Sequence, residues 1–416
     1  MDISELRGWF RGLSGLARYP GMAMGGVEDQ EELAAAQEVL TDTERLAVIR
    51  PAPAVQRGCL AFVDGVMRYA VVGALKVGGV HVPVVAAHLA AGATRLVSKS
   101  LVPALRRGAI VIALPITAIT EHTRRGLLPG NAELFEVVGV KSMVGNHDPV
   151  LFTDTTKSLQ GVRVFKSLSD LAAVGAVIEA ARNRLLEVLR AMEFSVVLDM
   201  VRESCMVIAD GPVANLIKYA GLVDPSLRGI AKPVGDLAVR AYEVLRGVVG
   251  VVKRPIKVPS GLATPLGGEY HLYLWGRVVE DRGEGSLDGL RTYILSAFTV
   301  LRPELLTEYY PVQSPTAGLV RVDVPLPAVM GRDEWVGWIL GNAESVTGSG
   351  RESVLAVVRR HTNELSRVLG TVQAFKYPIP SSTPYRRLVE LYPIFETELM
   401  LKTTILSKYE LASLTY

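Results

Sequence analysis

The stretch that decides the fold is CLAFVDGVMRYAVVGAL, residues 59–75. It is apolar and rich in β-formers, yet it carries one acid, Asp64, behind Leu60, Ala61, Phe62 and Val63. A carboxylate inside an apolar strand is costly unless it is paired or bound to a cation. Gly65 follows it, which keeps space open beside the carboxylate and lets the backbone turn. Two more apolar stretches come next, GGVHVPVVAAHL at 78–89 and GAIVIALPITAI at 108–119. Together they predict a meander of three or more strands, buried on at least one face.

Working outward, residues 118–168 are mixed, with GNHDP as a turn cluster, and read as a loop-rich excursion. From 171 to 204 the pattern turns helical: Leu185, Val188, Leu189, Met192 and Val196 repeat at three- and four-residue steps. Glu193 lies in this helix among apolar neighbours. The short strand MVIA follows and ends in Asp210-Gly211-Pro212. A second α/β section then runs on. Residues 236–246 read as helix, GVVGVVKRP as a strand ending in a basic pair, and GLVRVDVPLP as another strand. LDGLRTYILSAFTVLRPELL (287–306), residues 350–369 and residues 385–411 read as helical. At the other end, residues 1–54 form a helical N-terminal extension on the strength of EDQEELAAAQEVL, which PAPAV at 51–55 breaks. No Gly-rich linker divides the rest, so 55–416 reads as one elaborated domain.

Composition sets the outer limits. Of 416 residues, 49% are hydrophobic and 21% charged, a globular and not a disordered balance. The net charge of +3 favours an anionic partner only weakly, so a nucleic-acid surface has to come from local clustering. Residues 77–94 carry no Asp, Glu, Lys or Arg, but Pro83, His81, His88 and the valines make them strand, turn and strand, not a membrane helix. The N-terminus MDISELRGWFRGL lacks the apolar core of a signal peptide, and Cys59 and Cys205 read as two buried thiols, so a reducing cytoplasm is expected. Six scattered histidines support no zinc site. Asn and Gln total only twelve residues, a compositional hint of a hot-living source.

Asp64, Glu193 and Asp210 are the candidates for chemistry. Taken singly, each has a bland reading. D-G is a common turn dipeptide, and a lone helical Glu faces solvent. Their order changes the balance: a strand with Asp, two further strands, a helix with Glu, then a strand with Asp. That is the layout of an RNase H-like nuclease core. Phosphodiester hydrolysis needs an activated water and neutralisation of the leaving oxygen, which two Mg²⁺ or Mn²⁺ ions about 3.5–4 Å apart can supply. Such hard cations take oxygen ligands.

Six motifs in order carry a resemblance. FVDG at 62–65, RAME at 190–193, VIADGP at 207–212, GVVGVVKRP at 247–255, VRVDVP at 320–325 and YPIP at 377–380 resemble the pattern of the NurA family of archaeal and bacterial DNA end-resection nucleases. The resemblance covers about residues 55 to 390. It implies an α/β fold with an RNase H-like core, and 5′ to 3′ DNA end resection in double-strand break repair. It further implies Mn²⁺ or Mg²⁺ held by Asp64, Glu193 and Asp210, a homodimer, and a HerA-type hexameric ATPase that feeds DNA to it. Lys253, Arg254, Arg68, Tyr377 and Tyr385 are the candidate DNA contacts. Arg106-Arg107, Arg124-Arg125, Arg359-Arg360 and Arg386-Arg387 are candidates for a sequence-independent phosphate track.

The chain departs from the family at two points. The family's D-G-S is Asp64-Gly65-Val66 here, without the hydroxyl, and the ligand histidine of an A-H pair is replaced by Pro384-Tyr385. A phenol stays protonated at neutral pH and is a poor ligand for these cations. The fourth ligand is then absent or supplied elsewhere, with Glu390 a candidate. A catalytically degenerate relative that binds DNA and serves the ATPase as a scaffold is therefore the alternative. An unrelated α/β protein, in which the D-G turns are only structural, is the third reading; it would leave the three carboxylates far apart.

Overall fold

The computed structural model describes residues 2–13, 16–17, 38–40, 45–53, 58–123, 127–143, 147–159, 161–167, 169–230, 233–253, 255, 257–259, 262, 268–274, 293–303, 318–342, 350–376 and 389–415. Its ten principal strands are β1 Ala47–Ile49, β2 Cys59–Val77, β3 Val80–Val97, β4 Ser100–Leu114 and β5 Val150–Asp154, followed by β6 Cys205–Asp210, β7 Val248–Val252, β8 Tyr270–Leu274, β9 Ile294–Val300 and β10 Leu319–Pro325. They form one sheet in the order β1-β8-β9-β10-β7-β6-β2-β3-β4-β5, and a two-residue strand, Leu16–Ala17, pairs with β2 away from this path.

The middle of that sheet sets the class. β2, β3 and β4 are an antiparallel meander; β6 then lies parallel to β2, and β7 parallel to β6. The order 3-2-1-4-5, with a helix between the third and fourth strands, is an RNase H-like core. Tight turns explain the meander: Gly78 and Gly79 turn β2 into β3 with φ of 55° and 86°. The parallel step needs a crossover, and the helix α2, Val174–Arg202, supplies it. Seventeen of its residues are buried, so it is a core helix rather than a surface one, and it packs on β2, β3, β4 and β6.

The opposite face is covered from both ends of the chain. Helix α1, Ile3–Gly12, buries Leu6 and Phe10; the C-terminal segment 392–415 brings Leu401, Ile405, Leu411 and Leu414 against β2, β3 and β4. Residues 1–54 therefore contribute a helix and the edge strand β1, with β1 pairing to β8. Most of EDQEELAAAQEVL lies outside the described residues; its last three, Glu38–Leu40, are a strand paired parallel with Lys257–Pro259.

Two expectations are overturned. The stretch 287–306 was expected to be helical, but Ile294–Val300 is a fully buried strand between β8 and β10. A central strand buried on both faces shows no alternation, so its apolar run cannot be told from a helix by period. The two cysteines are not free thiols: Cys59 and Cys205 are joined as a disulfide between adjacent strands. Among the described residues no helix is long and apolar enough to cross a membrane.

Candidate functional site

The parallel register of β2 and β6 sets the site. Cys59 pairs with Cys205 and Val63 with Ala209, so Asp64 and Asp210 stand at the same level of neighbouring strands. Asp210 ends β6, and Gly211 then takes φ +93°, a conformation glycine adopts at little cost, to turn the chain into α3, Val213–Lys218. The turn is held from behind by the buried Asp323 of β10. Its carboxylate accepts hydrogen bonds from the Val213 amide and the Ser296 hydroxyl, and pairs with Arg321 at 2.9 Å.

Glu193 comes from α2 and lies directly against Gly65. A Cβ on residue 65 would stand 2.9 Å from Glu193 Cγ and Cδ and closer still to Oε1, so only glycine leaves room for this carboxylate. Glu193 is held by Arg190, one helical turn earlier, whose Nη1 donates to both carboxylate oxygens at 2.8 and 2.6 Å. On the β7 side, Lys253 lies two residues beyond Val251, the residue paired with Asp210. Its Nζ bridges Asp210 at 3.2 Å and Glu390 at 2.8 Å. Glu390 is buried, and one of its oxygens accepts from the Leu391 amide.

The structure thus brings Asp64, Glu193, Asp210, Lys253 and Glu390 together, and adds two residues the sequence reading did not single out. One is Arg190, legible as the start of an Arg-x-x-Glu pair on a helix. The other is Glu398 on the helix α4, Tyr392–Lys402, whose charge reaches Asp64 and Glu390. Nothing local in the sequence distinguishes Glu398 from a solvated helical Glu.

The electrostatics follow from crowding in a dry place. Burial first, then the charges of Asp210, Glu398 and Glu193, push the Asp64 carboxyl well above the usual aspartate range, while Lys253 opposes them. Burial likewise raises Glu193 against the pull of Arg190, and raises Glu390 against the pull of Lys253. The cations respond in kind. Burial alone would lower Lys253, but Asp210, Glu390 and Asp64 raise it, and Glu193 raises Arg190.

Whether these groups suit a divalent cation has two answers. The donor chemistry does, being carboxylate oxygen throughout. The arrangement does not: among the described residues no three His, Cys, Asp or Glu side chains are grouped so as to hold one ion. Glu193 gives both oxygens to Arg190, and Lys253 stands between Asp210 and Glu390.

The remaining candidates lie elsewhere or outside the described residues. Arg68, on the Asp64 face of β2, donates to the Ile405 carbonyl at 3.2 Å. Arg106 binds Asp148, Arg107 binds Asp199 and Arg360 binds Glu334, so these three are engaged within the chain. Arg254, Tyr377, Tyr385, Arg124-Arg125 and Arg386-Arg387 lie outside the described residues.

A five-stranded 3-2-1-4-5 core with acids on its first strand, its crossover helix and its fourth strand defines an RNase H-like α/β protein. No family model matches the chain, and no curated protein does. Among solved structures, the crystal structure of the NurA nuclease from Sulfolobus solfataricus matches at 12% identity. The match covers 76% of this chain and 88% of that one, with a TM-score of 0.29. At that degree of likeness the strand order and side chains of this chain, not the superposition, define its class.

Proposed function

We propose that this chain is a DNA-binding protein of NurA type in whose pocket most of the acids are paired with cations of the same chain, and that it serves a HerA-type hexameric ATPase as a homodimeric scaffold at DNA ends. The observation that carries the reading is the internal pairing. Glu193, Asp210 and Glu390 each already face a cation of the same chain, Arg190 or Lys253. A buried acid cluster satisfied in this way has no need of an added ion to be stable. Val66 and Tyr385, which stand where the family has a hydroxyl and a ligand histidine, support it from the sequence. The DNA and ATPase partners rest on the six ordered motifs.

A second reading, metal-dependent deoxyribonuclease using Mn²⁺ or Mg²⁺ at Asp64, Glu193 and Asp210, is favoured by one observation. Asp64 makes no ion pair of its own among the described residues and is destabilised by three neighbouring acids. That is the setting in which an added cation would be most welcome. One experiment separates the two. End-labelled single- and double-stranded DNA is incubated with the protein in Mn²⁺, Mg²⁺ or EDTA, alongside Asp64→Ala and Asp210→Ala, with binding read by fluorescence anisotropy. The scaffold reading expects binding that survives EDTA and Asp64→Ala, and no cleavage. Metal-dependent cleavage lost in both variants overturns it in favour of the nuclease. Absence of DNA binding overturns both.

A further inference from the structure

The disulfide Cys59–Cys205 joins the first residues of β2 and β6, the two strands that carry Asp64 and Asp210. Each acid lies five residues beyond its cysteine, and the two strands run parallel in unbroken register between them. The segments that meet here are 146 residues apart in sequence. β6 is only six residues long, and on its other side it is tied to β7 through the short run Val207–Asp210. A slip of one residue between parallel strands would carry every side chain of β6 to the opposite face, and Asp210 with them. Backbone hydrogen bonds alone resist such a slip weakly on so short a strand.

We propose that the Cys59–Cys205 disulfide is a covalent register lock for the acid pocket, and that reducing it loosens β2 against β6 at the level of Asp64 and Asp210 before the rest of the sheet. The two ends differ in access. Cys205 is buried at 3% exposure, whereas Cys59 is only partly buried, at the start of its strand. An incoming thiolate therefore attacks the Cys59 sulfur, and Cys205 leaves as the thiolate. With dithiothreitol the second thiol of the reagent then displaces Cys59. The reagent ends as a cyclic disulfide and gives up two electrons, and the two cysteines take up two protons. The lock depends neither on nuclease activity nor on DNA binding.

The test has two parts on the full-length protein. The first is mass analysis after alkylation in denaturant, on protein purified without reductant and exposed only to air, with the intact mass read for thiol adducts. No alkylated cysteine is expected before dithiothreitol and two after it; two alkylated cysteines before reduction overturn the proposal at once. The second is hydrogen exchange of the folded protein, oxidised, reduced and as the double variant Cys59→Ser/Cys205→Ser. Reduction is expected to speed exchange about tenfold or more in 59–64 and 205–210, with β9 and β10 as internal controls that stay unchanged. The double variant should match the reduced protein. Exchange that is unchanged on reduction, or that rises equally in the controls, overturns the local lock.

Discussion

Replacing Gly65 with alanine tests the site at its tightest point. The added Cβ would stand 2.9 Å from Glu193 Cγ and Cδ and nearer to Oε1, a spacing real side chains do not tolerate. Glu193 cannot shift freely, because its side chain is only 3% exposed and both its oxygens are tied to Arg190. Overpacking of this kind costs about 1–3 kcal/mol. Displacing the carboxylate also forfeits two charge-assisted hydrogen bonds. Because the Arg190 side chain is 31% exposed, their loss counts well below the about 3–5 kcal/mol of a fully buried pair. A destabilisation of about 2–4 kcal/mol follows, measured as a lowered urea midpoint at unchanged slope. The decisive arm is Gly65→Ala in a Glu193→Ala background. With the obstructing carboxylate gone, the alanine costs less than about 1 kcal/mol and can even gain slightly through the unfolded state. The coupling energy between the two positions should then be about 2 kcal/mol or more, within the range seen for residues in contact. Additive effects, or a Gly65→Ala protein as stable as the parent, would refute the placement of Glu193 against β2.

The other expectations come from the charges. Asp64→Asn should raise stability at neutral pH by about 1–3 kcal/mol, because burial and three like charges disfavour the ionised form. A carboxyl with a raised folded pKa takes stability away as pH climbs from the usual aspartate value through the raised one, so the variant should lose that slope in urea titrations across pH. Lys253→Met should lower stability by about 2–4 kcal/mol, since Asp210 and Glu390 lose their shared cation, and Mn²⁺ should restore more of the melting temperature in the variant than in the parent. Asp148 behaves oppositely to Asp64. Burial would raise it, but hydrogen bonds from Arg106 and His88 hold it below the usual range. Its contribution should be complete above the usual aspartate pKa and fade as pH falls below it. Asp148→Asn should remove that acid-limb dependence and speed exchange of the Leu406 amide, which donates to His88 Nδ1 at 2.9 Å.

Much of the core was legible because its elements carry their own signals. β2 is apolar around a single acid, α2 has a stripe at helical spacing, and β6 ends in Asp-Gly-Pro, so their order alone gave the RNase H-like class. β9 was misread because all seven of its residues are buried, which erases the alternation that marks a strand. The cysteines were misread because 146 residues separate them, and only the parallel pairing of β2 with β6 brings their Cα atoms to 4.4 Å. Within the site, Asp64 and Asp210 are marked by the glycine that follows each, Lys253 by its strand end, and Glu193 by its apolar helical neighbours. Glu390 could be offered only as a substitute ligand, and Glu398 has no local mark, because both reach the pocket through the packing of the C-terminal segment against β2 and β3.

The cations decide how the pocket should be understood. Five acids meet there, Asp64, Glu193, Asp210, Glu390 and Glu398; among the described residues the half-buried Arg190 and Lys253 answer Glu193, Asp210 and Glu390, and Lys402 pairs with Glu398 at 2.6 Å. Removing a cation leaves uncompensated charge in a dry place, whereas removing an acid relieves repulsion. The same pocket should therefore tolerate Asp64→Asn and resist Lys253→Met. A site kept only for structure would have little reason to retain an acid whose loss stabilises the chain. Natural proteins accept that kind of cost where function requires it. Gain of stability in Asp64→Asn, combined with loss of whatever the pocket binds, would mark Asp64 as functional and favour the metal-binding reading, since the scaffold reading expects DNA binding to survive the loss of this acid. Loss of stability in Asp64→Asn would instead make it one more structural partner of Lys253.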